Sequence, residues 1–467
     1  MKKNLSKIAT IAAVLILIIP IVGCGNKSTT PTTAQGEKTI AVWGPFDDQD
    51  VFQPIMKDFM NQNKGYKAEY KKIDFSQYDV ESLLSLAAQK GPDIWLIPND
   101  WLGRHLDKFL PLPDGLLKKN KKDATTNEDY VKQNFVPVVA DQVIKDGQVY
   151  ALPMYMDTLA LYYNKDIFRQ KTKEIEKSSL SNQEKQRLTA LWEKPTDNWT
   201  DIIEQVKGLT IKSGDNIQQA GIALGTSNNI SRAEDILSLL MLQNGAQMVS
   251  PDQITATFNL PGNSQTGQTV YPAQTALDFY TSFANSSSPN YSWNGALPNS
   301  FDYFTQGKVA MMIDYGYRTN EIQQKAPTLN FKTQALPQIK GASQPIDYPY
   351  YLVAGVTKSS SNQELAWQLV KDLTTGSANS SYLSASQRLS AKKPQEEVPM
   401  AKRSESSNPF KFQGATAKTW YKGRYPQEVD MVMGKMIDRV TVEKMAVNTA
   451  VEEAAQKITE LLRKGND

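Results

Sequence analysis

The residues best placed to do chemistry lie in the stretch Val149 to Asp166, where Tyr155 and Asp157 follow Pro153. A carboxylate offers planar acceptors for a pair of hydroxyls, and an aromatic ring offers a flat apolar face; together they suit a polyhydroxylated solute. Other chemistries are excluded by composition. One histidine, His105, and one cysteine, Cys24, cannot assemble a zinc site of the His/Cys kind. A Ser-His-Asp triad would have to use His105, which sits in a Leu-rich helical stretch and reads as structural. No Gly-x-x-x-x-Gly-Lys-Ser/Thr loop is present, which removes P-loop ATP chemistry. The pairs Tyr162-Tyr163 and Tyr350-Tyr351 fall in predicted strands, where neighbours face opposite ways and cannot share one ferric ion. No metal and no cofactor is expected.

What positions Tyr155 and Asp157 is a break between two strands. Proline removes a ladder donor, so Pro153 marks the place where the chain leaves one sheet. Leu159 to Tyr163 is a continuous apolar run of the kind buried on both faces of an α/β sheet. The two halves therefore read as a crossing between two lobes, with Tyr155 and Asp157 emerging at the cleft. Before the crossing, Lys38 to Trp43 reads as a first strand, and Val51, Phe52, Ile55, Met56, Phe59 and Met60 follow at helical spacing. Tyr66 to Ile73 and Val80 to Ala88 repeat the alternation, which predicts a mostly parallel sheet covered by helices.

Beyond the crossing, Asp166 to Trp192 is charged and polar and reads as a surface insertion with a helix over Ser181 to Leu191. Helices are predicted after Trp199, over Ala233 to Leu242 and over Tyr271 to Phe283. Trp293 sits in a Ser/Asn/Gly-rich loop, so it either packs onto the lobe or is offered to a ligand. A short helix with Phe301 and Phe304 inward ends at Gly307, a natural left-handed cap, ahead of the apolar strand Val309 to Ile313. Asn330 to Pro337 reads as a second crossing and Tyr348 to Val356 as a strand back in the first lobe. The last helix carries its apolar stripe on Val451, Ala454, Ala455, Ile458, Leu461 and Leu462.

The chain has 467 residues, enough for two lobes with a sizeable core. Lys2, Lys3 and Lys7 precede an apolar segment from Ile8 to Val22, too short and wrongly flanked for a spanning helix, which reads as a secretion signal. The alternative is an uncleaved anchor helix with an incidental cysteine. Of 52 basic residues three lie in that leader, against 49 acidic ones, so the exported part is neutral and unsuited to nucleic acid. Gly25 to Glu37 is small and polar, a flexible tether.

Several of these segments resemble a known family, the carbohydrate-type extracellular solute-binding proteins of bacterial ABC importers, of the maltose-binding type. The resemblance rests on Pro153, Asp157 and Tyr163-Asn164-Lys165-Asp166; on Gly91-Pro92-Asp93-Ile94; on Phe304-Thr305-Gln306-Gly307-Lys308-Val309-Ala310-Met311; and on Ala366-Trp367-Gln368-Leu369-Val370-Lys371-Asp372-Leu373. It covers nearly all of the exported chain and is weakest over Phe168 to Trp192 and Thr375 to Lys418. Ile21-Val22-Gly23-Cys24 resembles a lipobox, in which Cys24 carries the lipid.

The resemblance implies an α/β, two-lobe periplasmic-binding-protein-like fold with multiple interlobe crossings and a hinged cleft. The expected divisions are a signal peptide over 1–23, a tether over 24–37, first lobe over 38–153, second lobe over 154–336, a return to the first over 337–383, and second lobe with C-terminal helices over 384–467. By the same matching Asp100 stands where a family aspartate bonds sugar hydroxyls, and Trp43 and Asp47 stand at the end of the first strand. For Trp43 a core role is the alternative, and for Asp47 a solvated helix start. Tyr317 matches the family's stacking aromatic, with Arg318 adding a charge that the type lacks, and Trp420 falls where a cleft aromatic is frequent. The implied ligand set is Trp43, Asp47, Asp100, Tyr155, Asp157, Trp293, Tyr317, Arg318 and Trp420. The implied partners are a carbohydrate or polyol, a membrane permease and, through its lipid, the membrane; a monomer is expected. Two alternatives stay open: a surface glycoside hydrolase using Asp100 and Asp157, whose carboxyls would stand about 5 to 9.5 Å apart, and a receptor lipoprotein that keeps the fold.

Overall fold

The strands of the two main sheets are, in chain order, β1 (Lys38–Gly44), β2 (Tyr66–Lys72), β3 (Ile94–Pro98), β4 (Leu152–Pro153), β5 (Asp157–Asn164), β6 (Ile211–Ser213), β7 (Asn216–Ile222), β8 (Val309–Tyr315), β9 (Phe331–Gln334), β10 (Pro349–Tyr350) and β11 (Leu352–Val356). They belong to a computed structural model that describes residues 38–118, 125–263, 268–394, 399–403 and 408–464. The expected leader, Cys24 and the tether lie outside the described residues.

The first sheet has the order β2-β1-β3-β11-β4. Its β1, β2 and β3 are parallel because a helix carries the chain back after each strand. Phe52, Ile55, Met56 and Phe59 form the buried stripe of the helix Gln49–Gln62, as their spacing predicts. The second sheet has the order β9-β5-β8-β7-β6, with β10 also on β5. The mostly parallel sheet expected of the first lobe holds for β1, β2 and β3 but not for β11, which meets β3 and β4 antiparallel; in the second sheet only β7 and β8 are parallel. The chain enters this sheet by a crossing strand rather than through a helix, so β8, β9 and β10 all meet β5 antiparallel. Every residue of β5 is buried, as its continuous apolar run requires. Each sheet has its own core, one around Trp95, Leu352 and Trp367, the other around Tyr162, Leu237 and Met311.

The chain first passes between the lobes from β4 to β5, at the proline. Its second passage lies later than the sequence suggests. β9 stays against β5, and Trp199 donates its backbone N–H to Gln338. Gln243 Nε2 donates to the carbonyls of Pro337 (3.1 Å) and Ile346 (3.0 Å), which folds the segment after β9 back onto the second lobe. The passage falls between β10 and β11, so residues 337–350 belong with the second lobe. The third passage is also displaced: Val136 donates to the Ala391 carbonyl (3.1 Å) and Lys393 to that of Asn134 (2.9 Å). Residues 384–393, expected in the second lobe, are therefore held on the first by backbone pairing. The insertion forms two helices, Lys165–Lys177 and Asn182–Trp192, begun by the side chains of Asn164 and Ser181 accepting from backbone N–H groups. Among the described residues no helix is long and apolar enough to cross a membrane.

Candidate functional site

Asp157 opens β5, and its carboxylate faces the turn that follows β8. Oδ1 accepts from the backbone N–H of Thr158 (2.8 Å) and Gly316 (2.7 Å), and Oδ2 from that of Tyr317 (3.1 Å). Gly316 is required by this approach, because a Cβ there would stand 2.6 Å from Asp157 Oδ1 and 3.2 Å from the Phe410 ring. Burial pushes the Asp157 carboxyl up to about 6, against the pull of Arg388 and of the three backbone donors. The carboxylate thus fixes the turn that presents Tyr317.

Around Asp157 lies a cavity of about 700 Å³ to which both lobes contribute. Phe46, Tyr155 and Arg388 reach it from the first lobe, and Arg232, Tyr317, Arg318 and Tyr350 from the second. The Tyr155 ring carries the Arg388 guanidinium 4.1 Å from its centre. Arg388 Nη2 in turn donates to Asp47 Oδ1 (3.2 Å), whose other oxygen accepts from Tyr382 Oη (2.8 Å). Asp47 therefore stands behind the cavity wall and orients an arginine. Tyr317 lies over Tyr315, with ring centres 6.4 Å apart, and its hydroxyl accepts from Arg232 Nη2 (3.3 Å). Arg318 is committed to Asp314, 2.8 Å from its Nε, and to Glu321.

A second cavity between the lobes, of about 760 Å³, holds Asp100 and Trp420. Asp100 Oδ2 is 3.8 Å from Lys422 Nζ, which also meets Asp430 at 2.6 Å and Asp235 at 3.7 Å. Burial works against the charge of Lys422, but Asp430, Tyr348, Asp235 and Asp100 outweigh it and hold the ammonium well above its ordinary range. Burial likewise raises the Asp100 carboxyl, whose Oδ1 is buried without a hydrogen-bond partner. Trp420 Nε1 donates to Ser238 Oγ (3.2 Å).

The structure thus gathers Tyr155, Asp157, Tyr317 and Arg318 at one cavity and Asp100 and Trp420 at the other. Trp43 and Trp293 line neither. Trp43 packs in the first core with the Lys71 ammonium 4.4 Å from its ring. Trp293 is fully buried because Ser292 Oγ donates to the Ile222 carbonyl (2.8 Å) and accepts from its N–H (2.9 Å), turning the loop inward; the indole N–H meets Asn229 Oδ1. His105 is buried with Nε2 2.9 Å from Asp79 Oδ1. Among the described residues no group of three or more His, Cys, Asp or Glu could hold a metal ion.

Sequence reasoning missed Arg232, Arg388, Tyr350 and Phe46. Arg388 sits in a Ser/Ala-rich run with no motif around it. Arg232 did leave a trace: it directly precedes the helix Ala233–Gln243, where Ser, Thr, Asp or Asn is the usual residue. Tyr350 and Tyr351 face opposite ways as strand geometry demands, Tyr350 to the cavity and Tyr351 to Gln142 in the first lobe.

The sequence profile of the bacterial extracellular solute-binding proteins matches residues 43–378. The chain belongs to that family. A binding protein of Brucella abortus (strain 2308) is 22% identical over 327 residues, covering 68% of this chain and 67% of its own. The maltodextrin-binding protein MdxE of Bacillus subtilis (strain 168) is 29% identical over 166 residues, 35% of this chain and 36% of its own. Among solved structures, the sugar-binding protein MalE of Xanthomonas citri matches with a TM-score of 0.69 at 19% identity, covering 91% of this chain and 98% of its own. A cyclo/maltodextrin-binding protein complexed with maltotetraose matches with a TM-score of 0.66, also at 19% identity, over 91% of this chain and 98% of its own. These likenesses establish the two-lobe fold of this solute-binding protein.

Proposed function

We propose that this solute-binding protein captures a saccharide or related polyol in the cavity around Asp157 and delivers it to the permease of an ABC importer. The observation that carries the reading is the meeting of Tyr155 and Arg388 from one lobe with Tyr317, Arg232 and Tyr350 from the other around a single space. Its volume of about 700 Å³ falls in the range of roughly 300–1,000 Å³ typical of small-molecule sites. Aromatic faces receive the C–H surface of a sugar ring, and the arginines supply planar donors to its hydroxyls. A relative named for maltodextrin and a structural neighbour complexed with maltotetraose support the class of ligand. A ligand touching both walls favours the state in which they are close, by as much as it binds that state better.

The hydrolase alternative needs Asp100 and Asp157 to flank one bond, and they border separate cavities. Attachment to the outer face of the membrane through Cys24 is part of the proposal and rests on Ile21-Val22-Gly23-Cys24. The test is a thermal-shift screen against mono- and oligosaccharides, polyols and peptides, followed by incubation with any hit. Stabilisation by a saccharide with no product formed is the expected result; stabilisation by peptides alone, or turnover, would overturn it.

A further inference from the structure

The charges bordering the first cavity are matched within the protein, with one exception. Arg388 has Asp47, Arg318 has Asp314 and Glu321, and Asp157 accepts from three backbone N–H groups. Arg232 has no ion pair with any described carboxylate. Of the two acids in the first turn of the helix that follows it, Glu234 and Asp235, neither makes an ion pair with it; Asp235 accepts from Tyr315 Oη (2.9 Å) and faces Lys422. A guanidinium carries five N–H donors, and among the described residues those of Arg232 make a single hydrogen bond, from Nη2 to the Tyr317 hydroxyl.

Arg232 is also held firmly in place. Its guanidinium carbon lies 5.5 Å from the Tyr315 ring centre and 5.4 Å from that of Tyr350, so two aromatic faces constrain it. Its backbone adopts φ +63°, the left-handed region that residues other than glycine rarely occupy, and such conformations concentrate where a ligand is clamped. The aromatic packing and the strained backbone together present a cation that makes no direct ion pair with a described carboxylate to a cavity that both lobes line.

We propose that the solute is an acidic saccharide whose carboxylate, of the uronic acid type, is received by Arg232. This rests on the saccharide reading above and narrows it. A planar carboxylate matches the fork of the unused guanidinium donors and supplies the direct ion pair that Arg232 lacks. The neighbouring tyrosines then serve the sugar ring to which the acid is attached.

The test is calorimetric titration of the full chain with glucuronic and galacturonic acid oligosaccharides, their neutral counterparts of equal length and linkage, and sulfated counterparts. Uronates are expected to bind at least about tenfold more tightly than the neutral sugars, the scale of one charge-assisted hydrogen bond. Added salt should weaken uronate binding more than neutral binding. Arg232→Gln should erase the preference, lowering uronate affinity about 10- to 100-fold, while Arg232→Lys, which keeps charge without the fork, should restore part of it. Neutral sugars binding as tightly as uronates would overturn the inference and leave the saccharide reading standing. Preference for the sulfated set would overturn the carboxylate assignment. Failure of every saccharide, acidic or neutral, would overturn both. The comparison of ligands and its salt dependence use the unaltered chain, so they decide the matter even where a variant fails to fold.

Discussion

Asp157 shows how one side chain joins sequence to site. Its place after Pro153 was legible, because a proline within an apolar stretch marks a strand that must change sheets. Its partners were not, since two of the three donors come from Gly316 and Tyr317, far along the chain. The raised carboxyl has a consequence for stability. The folded state holds this proton more tightly than the unfolded one, so the contribution is present in full below the ordinary value of 3.8 and is lost as pH rises through about 6. Over that window the loss amounts to about 2–3 kcal/mol at 1.36 kcal/mol per pH unit. Asp157→Asn should flatten this part of the profile; urea denaturation midpoints of both chains across the window check it. Asp47 makes a second case: Asp47→Ala removes the partner of Arg388 and of Tyr382 together. Breaking such a buried pair costs about 3 kcal/mol, to be read as a lowered denaturation midpoint.

At the scale of the element, what the sequence made plain were features with local causes. The helix Ser300–Thr305 ends at Gly307 in the left-handed region, as a glycine in that position suggests, and β8 follows as an apolar run. The passage into β11 could not be read locally. The segment after β9 is fixed by Gln243 and Gln338, polar side chains whose partners become neighbours only in the fold. The same holds for the loop of Trp293, turned inward by one serine. Two glycines, one in the turn after β8 and one on β11, separate site from scaffold. Gly316→Ala forces a methyl onto Asp157, and ligand affinity should fall at least about tenfold along with about 1–3 kcal/mol of stability. Gly355→Ala would place its methyl 2.5 Å from the Phe109 ring inside the first lobe. Its stability loss should be similar and its ligand affinity unchanged, as calorimetry beside thermal denaturation will show.

For the molecule as a whole, polar ties join the two lobes beside the second cavity. Lys422, packed with the second lobe, faces Asp100 of the first, and Arg104 of the first donates to Gln427 of the second (2.7 Å). Lys422→Met would leave Asp100, Asp235 and Asp430 facing one another without a cation. A cost of about 3 kcal/mol is expected, together with a larger radius of gyration for the ligand-free protein in small-angle scattering; an unchanged radius would count against the tie. No sequence pattern announced this cluster, because its members come from three distant stretches of the chain, around Asp100, Asp235 and Lys422 to Asp430.

The packing of the indoles carries one more consequence. All eight tryptophans are shielded from water, yet Trp420 alone borders a gap between the lobes, with an ammonium 5.9 Å from its ring. Any shift of one half against the other alters the surroundings of a single emitter while seven others stay as they were. The protein thus carries its own optical gauge: ultraviolet emission that changes colour when cargo is taken up should fall silent in Trp420→Phe.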